Sequence, residues 1–357
     1  MVNSRAKKLT RRRSLEKAAL FRFVETVGLA CVRRPAGWSA QLANTEKRDH
    51  GGNLDAAVAR FGGTRSDWID LSTGINPIAF PIPEIPDDAW TALPDKAALE
   101  RLHDAARRFW HVPEGAGVLA VPGASAAIAH IPLLAPLGRV CIPAPTYNEH
   151  AASFTDTGWK VVQEGNDCSA SVHVHPNNPD GSVWQVQDLT GGLRIIDESF
   201  CDVSPDATLI SEASVPGTLI LKSFGKFWGL AGVRLGFVIG DPALLVRLSQ
   251  MLGPWSVAGP ALHIGAAALE DMPWADKTRH RLQIDADRLD DLVTKQGTTV
   301  VGGTSLFRLY DVENAADFQE RLAQHHIWSR IFPYNPRWLR LGLPGAGGWD
   351  RLSAALA

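Results

Sequence analysis

Short apolar runs rich in β-branched residues alternate with helix-like segments through the middle of this 357-residue chain. Glycine, proline or an acidic residue follows most of them, which is typical of buried strands. The pattern predicts an α/β fold with a largely parallel sheet covered by helices. Ligands of such sheets bind where strands end, so residues just after the runs are candidates for function. The runs span residues 140–142, 171–174, 193–196, 218–221 and 235–239.

The sequence divides into four parts by composition and periodicity. We expect a poorly ordered basic extension (1–48), an N-terminal arm (49–95), a large domain (96–272) and a smaller α+β domain (273–357). Glycines near His50 and a proline-rich run to Pro86 mark the arm. Helical spacing of apolar residues predicts helices at 54–61, 96–110, 277–295 and 315–325. Two further strands are predicted at 305–309 and 339–343.

Charge and cysteine usage exclude several classes of protein. Residues 1–50 hold twelve Lys and Arg against four Asp and Glu, and the rest of the chain is acidic. Nucleic-acid binding by the body is therefore not expected, and the short basic segment has no helix-turn-helix pattern. Four cysteines without metal-ligand spacing predict free thiols in the cytoplasm and no metal site. No apolar run approaches the ~20 residues that a membrane-spanning helix needs.

The most informative segment runs from Ser223 to Gly236, directly after a predicted strand. Lys226 lies there among small and apolar residues, with Ser223 before it and Arg234 after it. Loss of water lowers the pKa of a lysine amine, which can then form a Schiff base. A hydroxyl and a guanidinium suit a phosphate dianion. Taken alone, a lysine among glycines would favour a surface loop, but the whole fourteen-residue pattern does not.

This segment resembles the cofactor-lysine signature of the fold-type I aminotransferase family of pyridoxal-5′-phosphate (PLP) enzymes. Further segments match that family in the same order along the chain. The resemblance implies the PLP-dependent transferase fold, with a mostly parallel seven-stranded sheet in the large domain. It also implies PLP as cofactor, and a homodimer.

The resemblance implies roles for individual residues. A turn opening a helix under the cofactor phosphate maps to Gly123, Ala124 and Ser125. The Tyr147 ring would stack on the pyridine ring, and Asn178 would donate to the phenolic oxygen. Asp197 would pair with the pyridine nitrogen, while Ser223 and Arg234 would bind phosphate.

Three features resemble the threonine-phosphate decarboxylase group of that family, which acts in cobalamin biosynthesis. They are the start at His50 and Gly51, the segment 71–77 that contains Asn76, and Phe200 in place of a common tyrosine. The implied reaction converts L-threonine O-3-phosphate, a small phosphorylated amino acid, into (R)-1-aminopropan-2-ol O-phosphate and CO2.

Catalysis in this interpretation rests on Lys226 and Asp197. The substrate-binding set implied by the resemblance is His50, Gly51, Asn76, Arg330 and Arg340. Arg340 would hold the carboxylate with two parallel hydrogen bonds, and Arg330 would help to bind a doubly anionic substrate. A histidinol-phosphate or related amino-acid aminotransferase is the alternative, because it shares Lys226 and Asp197.

Overall fold

A seven-stranded sheet forms the centre of the structure, a computed structural model that describes residue 48 and residues 50–165 and 167–357. Its order is β2-β8-β7-β6-β5-β3-β4. Strands β7, β6, β5, β3 and β4 pair in parallel, and β8 pairs antiparallel with both β2 and β7. The strands are β2 (Gly117–Val121), β3 (Arg139–Cys141), β4 (Lys160–Val162), β5 (Ala170–Val174), β6 (Leu193–Asp197), β7 (Thr218–Ser223) and β8 (Gly236–Gly240).

The predicted α/β class and mostly parallel sheet are confirmed. All five predicted strands of the middle region exist, each within two residues of its predicted bounds. The sequence analysis missed β2 and β4, which lie at the two edges of the sheet. Strands β5 and β8 are buried along their whole length, as expected for a sheet covered on both faces.

Helices cover this sheet on both faces. On one face Leu102, Ala106 and Phe109 pack in the same apolar core as Phe237. On the other face Ile128 and Leu245 pack in a second core with Val238. The helices are α1 (Leu54–Phe61), α2 (Asp88–Thr91), α3 (Lys96–Phe109), α4 (Ala124–His130), α5 (Asn148–Asp156), α6 (Pro242–Leu252), α7 (Gly259–Glu270), α8 (Met272–Thr294), α9 (Ala315–Gln324) and α10 (Trp349–Leu356).

A second, antiparallel sheet follows in the C-terminal part, in the order β12-β13-β10-β9. A short parallel pair, β1 and β11, joins residues near position 70 to the same part of the chain. These strands are β1 (Ile69–Asp70), β9 (Thr299–Thr304), β10 (Phe307–Asp311), β11 (Ile327–Trp328), β12 (Arg330–Phe332) and β13 (Asn335–Gly342).

Several predicted boundaries in this part were displaced. Helix α8 begins at Met272 rather than at residue 277, because the Asp271 side chain caps it and a proline is tolerated in its first turn. The last strand begins at Asn335 rather than at residue 339.

The described residues from 50 onward form one compact unit. The proposed division of this unit into arm, large and small domain stays a prediction. The expected extension lies outside the described residues except for Arg48. Cys141, Cys168 and Cys201 are free and buried as predicted, whereas Cys31 lies outside the described residues. No helix in the described ranges has the length and apolarity to cross a bilayer.

Candidate active site

Lys226 lies on the loop that follows β7, at the carboxyl end of the parallel strands. Its side chain is partly buried and lines two adjoining cavities. The Nζ atom is 5.1 Å from the centre of the Phe200 ring. Burial, followed by the charges of Arg340 and Arg234, lowers the pKa of Lys226 to about 8. An amine with this pKa is about one-tenth unprotonated at pH 7, a far larger reactive fraction than an ordinary lysine has.

Asp197 is the last residue of β6, and its carboxylate is fully buried in a set of hydrogen bonds. His150 Nε2 donates to Oδ2 at 2.8 Å, and the amide and hydroxyl of Ser199 both donate to Oδ1. Burial opposes ionisation, but the bonds from His150 and Ser199 outweigh it and hold the pKa of Asp197 below its ordinary value. The site therefore contains a buried negative charge, suited to a cationic ring nitrogen.

His150 was missed by the sequence analysis, although it lies three residues after Tyr147. It is buried on α5 and reaches a carboxylate that is 47 residues away in the chain. No local spacing marks such a pair. A lone histidine on a helix face is more often a packed core residue than part of a site.

An anion-binding corner is formed where β2 leads into α4. Ala124, Ser125, Ser223 and Arg234 all line the first cavity. Gly123 has a φ of +83°, and a Cβ atom there would lie 2.4 Å from Nη2 of Arg234. The guanidinium therefore occupies the space that a side chain at 123 would fill. One cation, two hydroxyls and the backbone of this turn fit a phosphate.

The walls of the first cavity include Tyr147 and Asn178. The Tyr147 ring makes an edge contact with His150, with ring centres 6.1 Å apart. Burial, and then the charge of Asp197, raise the pKa of Tyr147 to about 12, so its phenol stays protonated. The Asn178 Oδ1 accepts a hydrogen bond from Arg340, which leaves the Asn178 amide nitrogen as its donor group.

Arg330 and Arg340 line the second cavity together and face each other across β12 and β13. Arg340 is buried, and its Nη2 donates to the Ser72 carbonyl at 2.7 Å. Its Nε has no hydrogen-bond partner among the described residues. Burial and then the charge of Arg330 lower the pKa of Arg340 to about 10. Two neighbouring guanidiniums at one cavity favour a substrate with two anionic groups.

Of the remaining predicted substrate residues, two line the second cavity and one does not. His50 and Gly51 line the second cavity, and His50 Nε2 lies 2.7 Å from Glu149 Oε1. Asn76 is among the lining residues of neither cavity. Its buried side chain contacts the backbone of the Lys226 loop instead. The structure therefore does not bring Asn76 into the second cavity, because its contacts with the Lys226 loop hold it behind the lysine.

A buried ionic cluster lies behind the Lys226 loop. Lys222 Nζ lies 2.5 Å from Glu198 and 3.7 Å from Asp202. Burial opposes its charge, but these carboxylates outweigh burial and raise the pKa of Lys222. The other Asp202 oxygen accepts a hydrogen bond from the indole of Trp228, two residues after Lys226. Through the bond from Trp228 to Asp202, the cluster therefore holds in place the part of the loop that follows Lys226.

His175, Glu198 and Cys201 also lie close together, as metal ligands would. However, His175 Nε2 donates to the Ala207 carbonyl at 2.6 Å, and its Nδ1 accepts from a backbone amide. Glu198 Oε1 accepts from a backbone amide at 2.6 Å. These atoms already have protein partners, so the cluster fits a packed structural unit better than a metal site.

The first cavity fits the predicted cofactor. It combines an amine of lowered pKa, a buried carboxylate and a cationic corner that a glycine keeps open. These groups match an aldehyde, a pyridine nitrogen and a phosphate, respectively. The residues named for these roles are Lys226, Asp197, Arg234, Ser223 and Ser125.

Comparisons with known proteins agree with this arrangement. The model of the family described as aminotransferase class I and II matches residues 163–351. A threonine-phosphate decarboxylase of a Sinorhizobium species is 40% identical over 328 residues, covering 86% of this chain and 97% of that protein. One from Pseudomonas aeruginosa is 38% identical, with the same coverage of both chains.

Solved structures share the fold. The histidinol-phosphate aminotransferase from Sinorhizobium meliloti in complex with pyridoxal-5′-phosphate has a TM-score of 0.72 at 15% identity. It covers 91% of this chain and 97% of its own. The L-threonine-O-3-phosphate decarboxylase from Porphyromonas gingivalis has a TM-score of 0.66 at 16% identity, covering 80% and 97%. On the family match and the two close relatives, this chain belongs to the aminotransferase class I and II family, alongside the threonine-phosphate decarboxylases.

Proposed function

We propose that this chain is a PLP-dependent decarboxylase that converts L-threonine O-3-phosphate into (R)-1-aminopropan-2-ol O-phosphate and CO2. The observation that carries the proposal is the pair Arg330 and Arg340, which share one cavity with Lys226. The substrate carries a carboxylate and a phosphate, so two guanidiniums match its two anionic ends. The two close relatives named threonine-phosphate decarboxylase support the same choice.

PLP, when bound, supplies an electron sink for the pair of electrons left when the bond from Cα to the carboxylate breaks. Lys226 supplies the amine that carries the cofactor, and later the proton that replaces CO2 on Cα. A pKa of about 8 suits both tasks, because neither form of the Nζ amine is scarce near neutral pH.

Asp197 holds a buried negative charge at the floor of the first cavity, fixed by His150 and Ser199. Its ionised carboxylate can keep a proton on the pyridine nitrogen. Because donors occupy both of its oxygens, the carboxylate needs no rearrangement when charge develops nearby.

The two arginines decide which bond breaks. Arg340 is fixed by its bonds to the Ser72 carbonyl and to Asn178, which leaves little freedom to a carboxylate held there. Decarboxylation breaks the bond from Cα to the carboxylate, whereas transamination breaks the Cα–H bond, and the residues that would hold the two anionic ends at this cavity are Arg330 and Arg340. Small displacements in how the two anionic ends are held therefore select the reaction.

We also propose that the enzyme acts in cobalamin biosynthesis, in the cytoplasm, and as a homodimer. The resemblance to the decarboxylase group supports the first statement, and the resemblance to the family supports the dimer. Light scattering at several protein concentrations tests the dimer, and loss of cobalamin synthesis in a deletion strain tests the pathway.

The decisive assay incubates purified, PLP-loaded protein with L-threonine O-3-phosphate and detects the amine phosphate and CO2 by mass spectrometry. Parallel reactions contain 2-oxoglutarate with histidinol phosphate. Stoichiometric CO2 and amine without 2-oxoglutarate support the decarboxylase. Glutamate formation with no CO2 would instead identify the aminotransferase alternative.

A further inference from the structure

Residues 76–80 lie directly against the backbone of the Lys226 loop. The backbone amide of Asn76 donates to the Lys226 carbonyl at 3.0 Å, and the backbone amide of Phe80 donates to the Trp228 carbonyl at 2.9 Å. At Gly229, with φ of +68°, a Cβ atom would lie 2.7 Å from Ala79 Cα. The two segments are therefore so close that only glycine fits at position 229.

The Asn76 side chain adds a second bond to the same loop. It is 2% exposed, and its Nδ2 donates to the Phe227 carbonyl at 2.8 Å. Asn76 therefore donates to two consecutive carbonyls, to that of Lys226 through its backbone and to that of Phe227 through its side chain, and the Gly229 amide also donates to the Lys226 carbonyl at 3.1 Å. Buried carbonyl groups rarely lack partners, so few alternative loop positions would be equally stable.

Arg281, on the long helix α8, orients the side-chain amide of Asn76. Its Nη2 donates to Asn76 Oδ1 at 2.7 Å, and the Ile78 amide donates to the same oxygen at 3.0 Å. A guanidinium can only donate, so the oxygen must face Arg281 and the NH2 group must face Phe227. The hydrogen bonds thus run from α8 through Asn76 to the residue next to Lys226.

We infer that Asn76 is a positioning residue for Lys226, and that Arg281 holds Asn76 in its working orientation. The inference rests on the proposed function only in taking Lys226 as the cofactor lysine. It replaces the expectation from sequence that Asn76 binds substrate, since Asn76 lines neither cavity. The Lys226 amine must reach both the cofactor and Cα, so a small shift of its backbone affects the rate.

Three variants test this inference by steady-state kinetics. Asn76→Asp keeps the shape and the acceptor for Arg281 but loses the donor to Phe227, Asn76→Ala removes both, and Arg281→Met removes the orienting group. For each we expect kcat to fall about tenfold or more, while KM for L-threonine phosphate changes less than about threefold. Gln283→Ala, on the exposed face of the same helix, is the matched control and should keep wild-type kinetics.

A second measurement does not depend on turnover. The rate at which apo-protein captures PLP on Lys226 is followed against pH, with borohydride trapping and peptide mapping. A loosened loop admits water to the amine, so the midpoint of this rate should move to higher pH in Asn76→Asp and Arg281→Met. Melting temperatures of the apo-proteins separate this effect from general instability. If Asn76→Ala does not fold, the other two variants decide.

A rise in KM with unchanged kcat would restore Asn76 as a substrate-binding residue and overturn the inference. Wild-type kinetics together with an unshifted capture midpoint would also overturn it. If the wild-type enzyme does not decarboxylate L-threonine phosphate, the proposed function fails. The capture experiment would still test the role of Asn76 by itself.

Discussion

His150 Nε2 and Asp197 Oδ2 lie 2.8 Å apart, and both side chains are almost completely removed from solvent. An ionised carboxylate can only accept, so the imidazole donates in this bond. Histidine is therefore part of the machinery that keeps Asp197 charged, together with the two bonds from Ser199. A buried carboxylate that lost this donor would bind a proton more readily.

Replacing His150 should therefore make the enzyme more sensitive to acid. Asp197 has a lowered pKa in the folded protein, so its charge is lost only as pH falls through that value. In His150→Phe the pKa of Asp197 rises and the acid limb of kcat should move to higher pH. We expect kcat to fall about tenfold or more at neutral pH, as for other groups that orient a ligand through one hydrogen bond.

His150→Asn supplies an amide donor and should recover part of the loss in His150→Phe. The check is kcat measured from pH 5 to pH 9 for the two variants and the wild type. An acid limb at the same pH in all three proteins would show that Asp197 does not depend on this bond.

The Lys226 amine should capture PLP with an unusual pH dependence. With a pKa of about 8 instead of 10.5, its unprotonated fraction reaches one half at about pH 8 and changes little above about pH 9. The capture rate should follow this fraction, whereas an ordinary lysine would still gain rate at pH 10. Stopped-flow absorbance of apo-protein mixed with PLP measures the rate, and Lys226→Ala should give no covalent product.

Gly123→Ala should weaken cofactor binding specifically. The new methyl group would displace the Arg234 guanidinium, which lies 2.4 Å from its position. Gly115→Ala is a matched control, because Gly115 also has a φ of +83° but nothing within 4 Å of the added Cβ. Both variants place a side chain at positive φ and should lose about 1–3 kcal/mol of stability from backbone strain. Only Gly123→Ala should raise the Kd for PLP, measured by fluorescence titration of apo-protein.

The two arginines of the second cavity should bind different groups of the substrate, Arg340 the carboxylate and Arg330 the phosphate. Arg330→Gln should raise the inhibition constant of inorganic phosphate about tenfold or more, because one charge-assisted contact is lost. Arg340→Gln should change phosphate inhibition little but lower kcat/KM for L-threonine phosphate about hundredfold. Unaltered kcat/KM in both variants would refute the assignment of the two anionic ends.

The sequence predicted the reactive residues of the site better than the strands that position them. Lys226, Asp197 and Arg234 were predicted because the local motifs that contain them resemble those of the family. The antiparallel direction of β8 was not predicted, because local composition does not determine the direction of a strand. Edge strand β4 is short, begins with an exposed lysine and is nowhere fully buried, so it lacks the apolar run that marked the central strands.

The roles of His150 and Asn76 became visible only in the folded chain. Each acts on a partner far away in the sequence, at separations of 47 and 151 residues. A histidine and an asparagine are common in cores and turns, so neither residue type indicates a role alone. Such contacts are determined by packing, which a single sequence does not display.

Arg330 and Arg340 face each other on adjacent strands, so the sheet sets the distance between the two anionic groups that a substrate can present. Directly opposed residues have Cβ atoms ~5 Å apart, a spacing that the strands maintain more rigidly than a loop could. L-serine O-phosphate has the same number of bonds between its two acidic groups as L-threonine O-3-phosphate and should be turned over. L-homoserine O-phosphate is one carbon longer, so it should be rejected for length, although its charges are the same.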